Sequence, residues 1–272
     1  MKTLKFWIFA CLFLPVTLFG QNNTGKSNFE PHSGQDGKDV IWVPTPHQLV
    51  DVMIKMANLT SSDYLVDLGS GDGRIVIAAA KKGIKAAGVE YNPDMVTYAR
   101  NYAEKEGVTN RTTFIQADLF EYDLSKHTVI TMFLLSDINR RLMPKLLELA
   151  PGTRIITNTF SIDDWPYDEK QEITDENISW NTAYLWIVPA KVEGSWKFSG
   201  GELDLSQKYQ TVTGNMKMDG STYPINEGKL RGAVFTFNCN GATYECTVSN
   251  NQMKGTTKRA GTSRAWTASK AQ

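Results

Sequence analysis

The stretch Asp67-Leu68-Gly69-Ser70-Gly71-Asp72-Gly73 decides the predicted fold, because it joins a buried strand to a helix. The apolar run Tyr64–Leu68 precedes it, and a helical pattern begins at Arg74. Glycines at such a turn let the backbone fold tightly and approach a ligand closely. The loop reads GxGxG with an acid two residues before its first glycine, whereas a dinucleotide-binding loop would read GxGxxG. We therefore predict a ligand-binding turn after the first strand of a parallel sheet.

Strand and helix patterns alternate after this loop. Before it, Thr45 is a predicted N-cap and Pro46 the first residue of an amphipathic helix. Alternation of strands and helices predicts an α/β fold with a doubly wound, mostly parallel sheet. The predicted helices cover residues 74–82, 93–106 and 137–149, with Asn92 as the N-cap of the second. The predicted strands cover residues 64–68, 86–90, 113–116, 129–135, 154–157 and 183–188. We expect the last of these strands to pair with the segment near Ile173.

The pattern changes after Pro189, where short alternating runs are separated by glycine-containing turns. Asn240-Gly241 between two such runs predicts a tight β-hairpin. A two-residue loop places Cys239 and Cys246 on one face but too far apart for a disulfide, whereas a six-residue loop would bring them opposite each other. We predict a sheet domain at residues 40–189 and a small antiparallel β domain at residues 190–272.

Composition excludes several classes of function. The 272 residues are 41% hydrophobic, enough for one large domain or two smaller ones. Lys and Arg total 29, as do Asp and Glu, so no bulk charge favours nucleic acid and we expect no nucleic-acid partner. The three histidines form no cluster with metal-ligand spacing, so we expect no metal site.

The first twenty residues have the order of a secretory signal. Lys2 and Lys5 precede an apolar run at residues 6–14, Pro15 breaks the run, and Gly20 suits the position before cleavage. The run is shorter than the ~20 residues that a membrane span needs. We predict a signal peptide at residues 1–20, a flexible leader at 21–39, and export to the periplasm or medium. An uncleaved N-terminal anchor is the alternative, and no stable membrane span is expected after cleavage.

Three acids lie at the ends of three successive predicted strands. Asp67 is the next-to-last residue of the first strand, Glu90 ends the second, and Asp118 follows the third. The carboxyl ends of parallel strands meet at one edge of the sheet, where open α/β sheets bind ligands. A carboxylate at the position of Glu90 can accept hydrogen bonds from both hydroxyls of a ribose. The sequence therefore predicts one nucleoside-binding site over the glycine loop.

The glycine loop and the three acids resemble those of class I S-adenosylmethionine-dependent methyltransferases. The resemblance covers about residues 42–188. Four further stretches resemble the archaeal and mitochondrial protein-lysine methyltransferases within that class. They are Trp42-Val43-Pro44-Thr45-Pro46, Phe133-Leu134-Leu135-Ser136-Asp137-Ile138-Asn139, Pro151-Gly152-Thr153-Arg154 and Trp165-Pro166. The resemblance implies a Rossmann-like methyltransferase domain, S-adenosylmethionine as cofactor, and a methyl acceptor that is a protein lysine amine.

The resemblance also implies roles for residues at the donor site. Asp67 and the glycines Gly69, Gly71 and Gly73 would hold the methionine end of S-adenosylmethionine. Thr45 would approach the carboxylate of the donor.

At the other end of the donor, Glu90 would bind the ribose, and Tyr91 would lie on the adenine face. Asp118 would accept from the adenine amino group, with the Leu119 backbone N–H beside it.

Three residues would line the acceptor mouth by the same resemblance: Ser136, Asn139 and Trp165. Ser136 could instead cap a helix, and Trp165 could be a packing residue. No general base stands out, so no catalytic side chain is assigned. Methyl transfer from a sulfonium mainly requires in-line placement of an unprotonated nucleophile in a dry pocket.

Export conflicts with methyl transfer, because the methyl donor is made in the cytoplasm. The sequence therefore leaves two hypotheses open. One is a methyltransferase. The other is an exported, non-catalytic binding protein on a methyltransferase-like scaffold. Loss of Gly71, Glu90 or Asp118 would have favoured this second hypothesis, but all three residues are present.

Overall fold

The computed structural model describes residues 29–175 and 177–271. The predicted signal peptide and the first part of the predicted leader lie outside the described residues. Within the described part of the chain, no helix is long and apolar enough to cross a membrane.

A seven-stranded sheet forms the first half of the molecule, with the order β3-β2-β1-β4-β5-β7-β6. The first five strands are parallel, and β6 and β7 form an antiparallel hairpin against β5. The strands are β1 Tyr64–Leu68, β2 Lys85–Glu90, β3 Thr112–Gln116, β4 Val129–Met132, β5 Arg154–Asn158, β6 Glu169–Glu172 and β7 Thr182–Ile187. The predicted doubly wound sheet is confirmed, including the pairing of the late strand near Ile173.

Helices cover both faces of this sheet. They are α1 His47–Met56, α2 Arg74–Lys81, α3 Pro93–Lys105 and α4 Ser136–Leu147. The apolar sides of α1, α2 and α3 share one core, whereas α4 packs into a second core on the other face. The strand order reverses between β1 and β4, and such a switch point opens a crevice at the carboxyl ends of the strands.

One of the four described helices, α3, begins at a side-chain N-cap. The Asn92 side chain accepts from the backbone N–H groups of Asp94 and Met95 and so caps α3, as predicted. At α1 the prediction is wrong by one residue, because the helix begins at His47 and no side chain caps it. The Thr45 hydroxyl accepts instead from Asn158 Nδ2, at 3.3 Å, which ties this segment to the end of β5.

The second half of the molecule is a closed antiparallel barrel. Its strands are β8 Gly194–Phe198, β9 Gly201–Lys208, β10 Thr211–Met218, β11 Ser221–Pro224, β12 Asn226–Arg231, β13 Val234–Cys239, β14 Ala242–Ser249, β15 Gln252–Arg259 and β16 Thr262–Lys270. Pairing of β10 with both β9 and β12 closes the ring. The short strand β11 pairs with the second half of β10, which β12 does not reach. Closure removes the exposed sheet edges that would otherwise invite aggregation.

The hairpin at Asn240-Gly241 has the predicted two-residue loop, with Cys239 opposite Ala242 and Cys246 opposite Phe235. Both cysteines are buried and free. Burial raises the pKa of the Cys246 thiol to about 12, so it stays protonated.

The barrel packs on the loop between β5 and β6. The Trp165 indole donates to Gln210 Oε1 at 3.1 Å, and its ring stacks on Tyr209 at 6.0 Å between centroids. Gln210 also donates to the Pro166 carbonyl at 2.7 Å, and the Tyr209 hydroxyl donates to Asp164. Trp165 is 2% exposed, so this contact is buried between the sheet and the barrel. The boundary at residue 189 stays a prediction.

Candidate functional site

A cleft lies at the carboxyl edge of the seven-stranded sheet, beside the switch point between β1 and β4. It has a volume of about 960 Å³, including open solvent at its mouth. The glycine loop, the ends of β2 and β4, and the segment before α1 form its walls. Seven of the nine predicted donor residues line it, namely Thr45, Asp67, Gly69, Glu90, Tyr91, Asp118 and Leu119, whereas Gly71 and Gly73 form the backbone of the loop behind it.

The glycine loop needs its glycines for two separate reasons. Gly71 has a φ of +51°, a left-handed conformation that L side chains rarely adopt. A Cβ at Gly71 would also collide with the indole of Trp42, which lies across the loop. Trp42 is therefore part of the site. In the sequence, Trp42 lies in a stretch that resembles the lysine methyltransferases, but no contact between it and the donor was predicted.

Glu90 is fixed at the end of β2 by two backbone donors. The Gly71 N–H donates to Glu90 Oε2 at 3.0 Å, and the Asn92 N–H donates to Oε1 at 2.9 Å. Each oxygen keeps a second lone-pair direction, so a carboxylate held in this way can still accept from a diol. This geometry leaves Glu90 free to bind a ribose, and that role stays a prediction.

Asp67 is the most deeply buried carboxyl among the described residues that line the cleft. Asp67 is 3% exposed, and the Thr131 hydroxyl donates to its Oδ1 at 2.7 Å. Burial raises the pKa of Asp67 to about 8, and the carboxylates of Asp72 and Glu90 add to the rise. A cationic group of a ligand placed against Asp67 would favour its ionised form.

Arg74 connects the glycine loop to the segment before α1. It forms an ion pair with Asp72 at 2.6 Å and donates to the Thr45 carbonyl at 2.8 Å. Thr45 is thereby held from its backbone by Arg74 and from its side chain by Asn158. No sequence pattern predicted the link between Arg74 and Thr45. The only local sign of it is the charged pair of Asp72 and Arg74 at the loop.

The predicted adenine end is occupied by a lysine. Lys38 Nζ lies 2.5 Å from Asp118 Oδ2 and 4.8 Å from the centroid of the Tyr91 ring. The hydrogen bond from Lys38 lowers the pKa of Asp118, and the Phe120 N–H donating to Oδ1 adds to the effect. Lys38 falls in the predicted leader, where no pattern pointed to a site.

The structure does not bring the predicted acceptor residues into the cleft. Trp165 is buried under the barrel, which agrees with its alternative role as a packing residue. Asn139 is fully buried and donates to the carbonyls of Phe160 and Ser161 at 3.2 Å each. Ser136 is the exposed first residue of α4 and makes no capping bond, although its neighbours Leu134 and Ile138 line the cleft.

The polar groups that line the cleft suit a polar ligand. The Asp67 carboxyl and the free lone pairs of Glu90 offer polar contacts to an amino acid and a ribose in one apolar-walled cleft. The residues present therefore fit S-adenosylmethionine. No group of three His, Cys, Asp or Glu residues that could hold a metal occurs within residues 29–175 and 177–271.

Comparison with known proteins agrees with this geometry. Residues 67–169 match the family model of the ANTKMT methyltransferase domain. A protein-lysine N-methyltransferase from Saccharolobus islandicus (strain REY15A) is 43% identical over 152 residues, which are 55% of this chain and 94% of that protein. The adenine nucleotide translocase lysine N-methyltransferase of Mus musculus is 37% identical over 103 residues, which are 37% of this chain and 45% of that protein.

A solved structure shows the same fold. It is an RNA methyltransferase from Salinibacter ruber in complex with S-adenosyl-L-homocysteine, with 41% identity and a TM-score of 0.52. The match covers 55% of this chain and 96% of that one, so nearly all of that structure corresponds to about half of this chain. Because the S. islandicus relative is matched over nearly its whole length, the chain belongs to the S-adenosylmethionine-dependent methyltransferases of class I, in the protein-lysine N-methyltransferase branch.

Proposed function

We propose that this methyltransferase transfers the methyl group of S-adenosylmethionine to the ε-amine of a lysine in a protein. The observation that carries the proposal is an intact donor cleft on a domain that matches 94% of a protein-lysine N-methyltransferase. The same cleft disfavours the non-catalytic alternative, because Gly71, Glu90 and Asp118 are all in place.

In the reaction, the N–CH₃ bond forms as the S–CH₃ bond breaks, and the sulfur keeps the electron pair. A free lysine amine has a pKa near 10.4, so the acceptor must lose a proton before it attacks. Solvent can take this proton at the open mouth of the cleft. The described residues would act by holding the donor: Glu90 would hold its ribose, Asp67 would hold its methionine end, and Leu134 and Ile138 provide an apolar wall.

The test is a transfer assay with labelled S-adenosylmethionine and a protein extract from a strain that lacks this gene. Acid hydrolysis of the labelled material should release methylated lysine, and protease but not nuclease should abolish the signal. Label in nucleosides, the chemistry named for the S. ruber protein, would contradict the lysine proposal. Glu90→Ala is the matched inactive control.

Export is a separate part of the proposal. The charged start, apolar run and Gly20 of the N-terminal segment support a signal peptide cleaved near Gln21. Under this proposal the acceptor lies outside the cytoplasm, or transfer precedes export. N-terminal sequencing of the native protein tests it: a chain that begins near Gln21 in the extracytoplasmic fraction is expected. Met1 in the cytosolic fraction would contradict it.

A further inference from the structure

Three aromatic side chains meet at the carboxyl edge of the sheet, outside the donor contacts described above. Phe133 follows β4, Phe160 follows β5, and Trp180 precedes β7. Their ring centroids form a nearly equilateral triangle, with 6.2 Å between Phe133 and Phe160, 5.9 Å between Phe133 and Trp180, and 5.7 Å between Phe160 and Trp180. We call this group the aromatic triad.

The aromatic triad is continuous with the donor cleft. Phe133 is at once a member of the triad and a residue of the cleft wall, next to Leu134. Trp180 is 42% exposed, and Phe133 and Phe160 are half-buried, so the triad is open to an incoming group. An aromatic surface thus runs from solvent to the wall of the cleft.

The backbone of the triad is held in a costly conformation. Thr159, just before Phe160, has a φ of +61°, and Trp180 itself has a φ of +60°. A left-handed conformation is unfavourable for a bulky side chain, and such strain concentrates at functional sites.

Polar side chains hold the backbone at Phe160. The Phe160 carbonyl accepts from the Thr157 hydroxyl at 2.6 Å and from Asn139 Nδ2 at 3.2 Å. Asn158, two residues before Phe160, donates to the Thr45 hydroxyl at the cleft. Asn139, predicted at the acceptor mouth, is therefore a positioning residue for Phe160.

The chemistry of the triad suits a cationic alkyl chain. Rings about 6 Å apart leave no space for a cation between them. A cation above the triangle, however, lies within about 6 Å of all three centroids, the range of cation–π attraction. The methylene groups of a lysine can pack on the same surface.

We propose that the aromatic triad of Phe133, Phe160 and Trp180 binds the side chain of the acceptor lysine and directs its amine past Phe133 to the methyl group. This inference rests on the proposed lysine methylation. It assigns the acceptor site to residues other than Ser136 and Trp165.

The test compares Trp180→Ala, Trp180→Phe and Tyr167→Ala in the transfer assay. The rate of methyl transfer is measured at several concentrations of the extract protein that supplies the acceptor. Tyr167 is the matched control, because it is 47% exposed and aromatic but lies at the opposite end of the β6–β7 hairpin. Trp180→Ala should lower kcat/KM for acceptor about tenfold, Trp180→Phe should restore most of it, and Tyr167→Ala should change it less than twofold. Calorimetric affinity for S-adenosylhomocysteine should be unchanged in all three.

A binding readout separates this proposal from the proposed function. In the S-adenosylhomocysteine complex, the Trp180 indole N–H resonance should shift on titration with Nα-acetyl-lysine methylamide and much less with its norleucine analogue. Equal shifts, or full activity of a folded Trp180→Ala variant, would overturn the triad as the lysine site. If the wild-type enzyme methylates only RNA, the proposed function fails and this proposal falls with it.

Discussion

The Gly71 N–H donates to Glu90 Oε2 at 3.0 Å, and this bond joins the glycine loop after β1 to the carboxylate at the end of β2. The two features that define the donor site in sequence are thus one hydrogen-bonded unit. Gly71 also packs against Trp42, so the unit extends to the segment before α1.

Gly71→Ala should weaken binding of S-adenosylhomocysteine at least tenfold, because the new methyl group would displace the Trp42 indole and shift the N–H that holds Glu90. Isothermal calorimetry measures this. Gly83→Ala is the matched control: its φ is +85°, but a Cβ there meets nothing within 4 Å. Backbone strain should cost both variants roughly 1 kcal/mol of stability. Equal donor affinity in the two variants would refute the assignment of the loop to the donor site.

Donor binding should release a proton at pH 7. Burial raises the pKa of Asp67 to about 8, so the carboxyl is largely neutral in the free protein and ionises when a donor ammonium binds beside it. The affinity should therefore rise with pH between pH 6 and pH 7.5, by up to about tenfold per pH unit. Calorimetry in buffers of different ionisation enthalpy counts the protons. Asp67→Asn should release none, and proton release equal to that of the wild type would contradict the assignment.

The same shift predicts a pH dependence of stability. A carboxyl whose pKa is raised on folding contributes stability that is present below its unfolded pKa and is lost as pH rises through the folded value. For Asp67 the loss falls between about pH 4 and pH 8. Asp67→Asn, which keeps the acceptor for Thr131, should raise Tm relative to the wild type at pH 9 more than at pH 4. An equal change at both pH values would show that the carboxyl is not buried as described.

Lys38→Met should tighten donor binding by up to about fivefold, because an exposed ion pair is weak and the Asp118 carboxylate becomes free for adenine. Lys82→Met, a change at an exposed lysine at the end of α2, is the control. The measurement is the calorimetric affinity for S-adenosylhomocysteine. A weaker affinity in Lys38→Met would mean that Lys38 contacts the donor directly rather than competing with it.

The sequence predicted the sheet well because its signals are local. The glycine loop, the Asn92 cap and the Asn240-Gly241 turn each depend on a few neighbouring residues, and each has the expected structure. Lys38 at Asp118 and Trp165 at Gln210 join residues 80 and 45 positions apart, and no periodicity reveals such contacts. For the same reason no local pattern shows that Asn139 and Trp165 are buried away from the cleft, whereas the acids at strand ends line it.

Gln210→Ala should destabilise the protein by about 1–3 kcal/mol, because the buried Trp165 indole N–H and the Pro166 carbonyl lose their partner. Denaturant unfolding measures the loss. Donor affinity of the folded variant should equal that of the wild type, since every predicted donor residue precedes Pro189. A large drop in donor affinity would show that the barrel shapes the cleft.

The most direct test of the donor site is calorimetry of S-adenosylhomocysteine with the wild type and Glu90→Ala. Hydrogen bonds to a charged carboxylate contribute about 1.5–3 kcal/mol each, so losing the ribose contacts should weaken binding by at least an order of magnitude. We predict one site per wild-type chain and this loss in a variant that still unfolds cooperatively. Unchanged affinity in a folded Glu90→Ala variant would contradict the donor site described here.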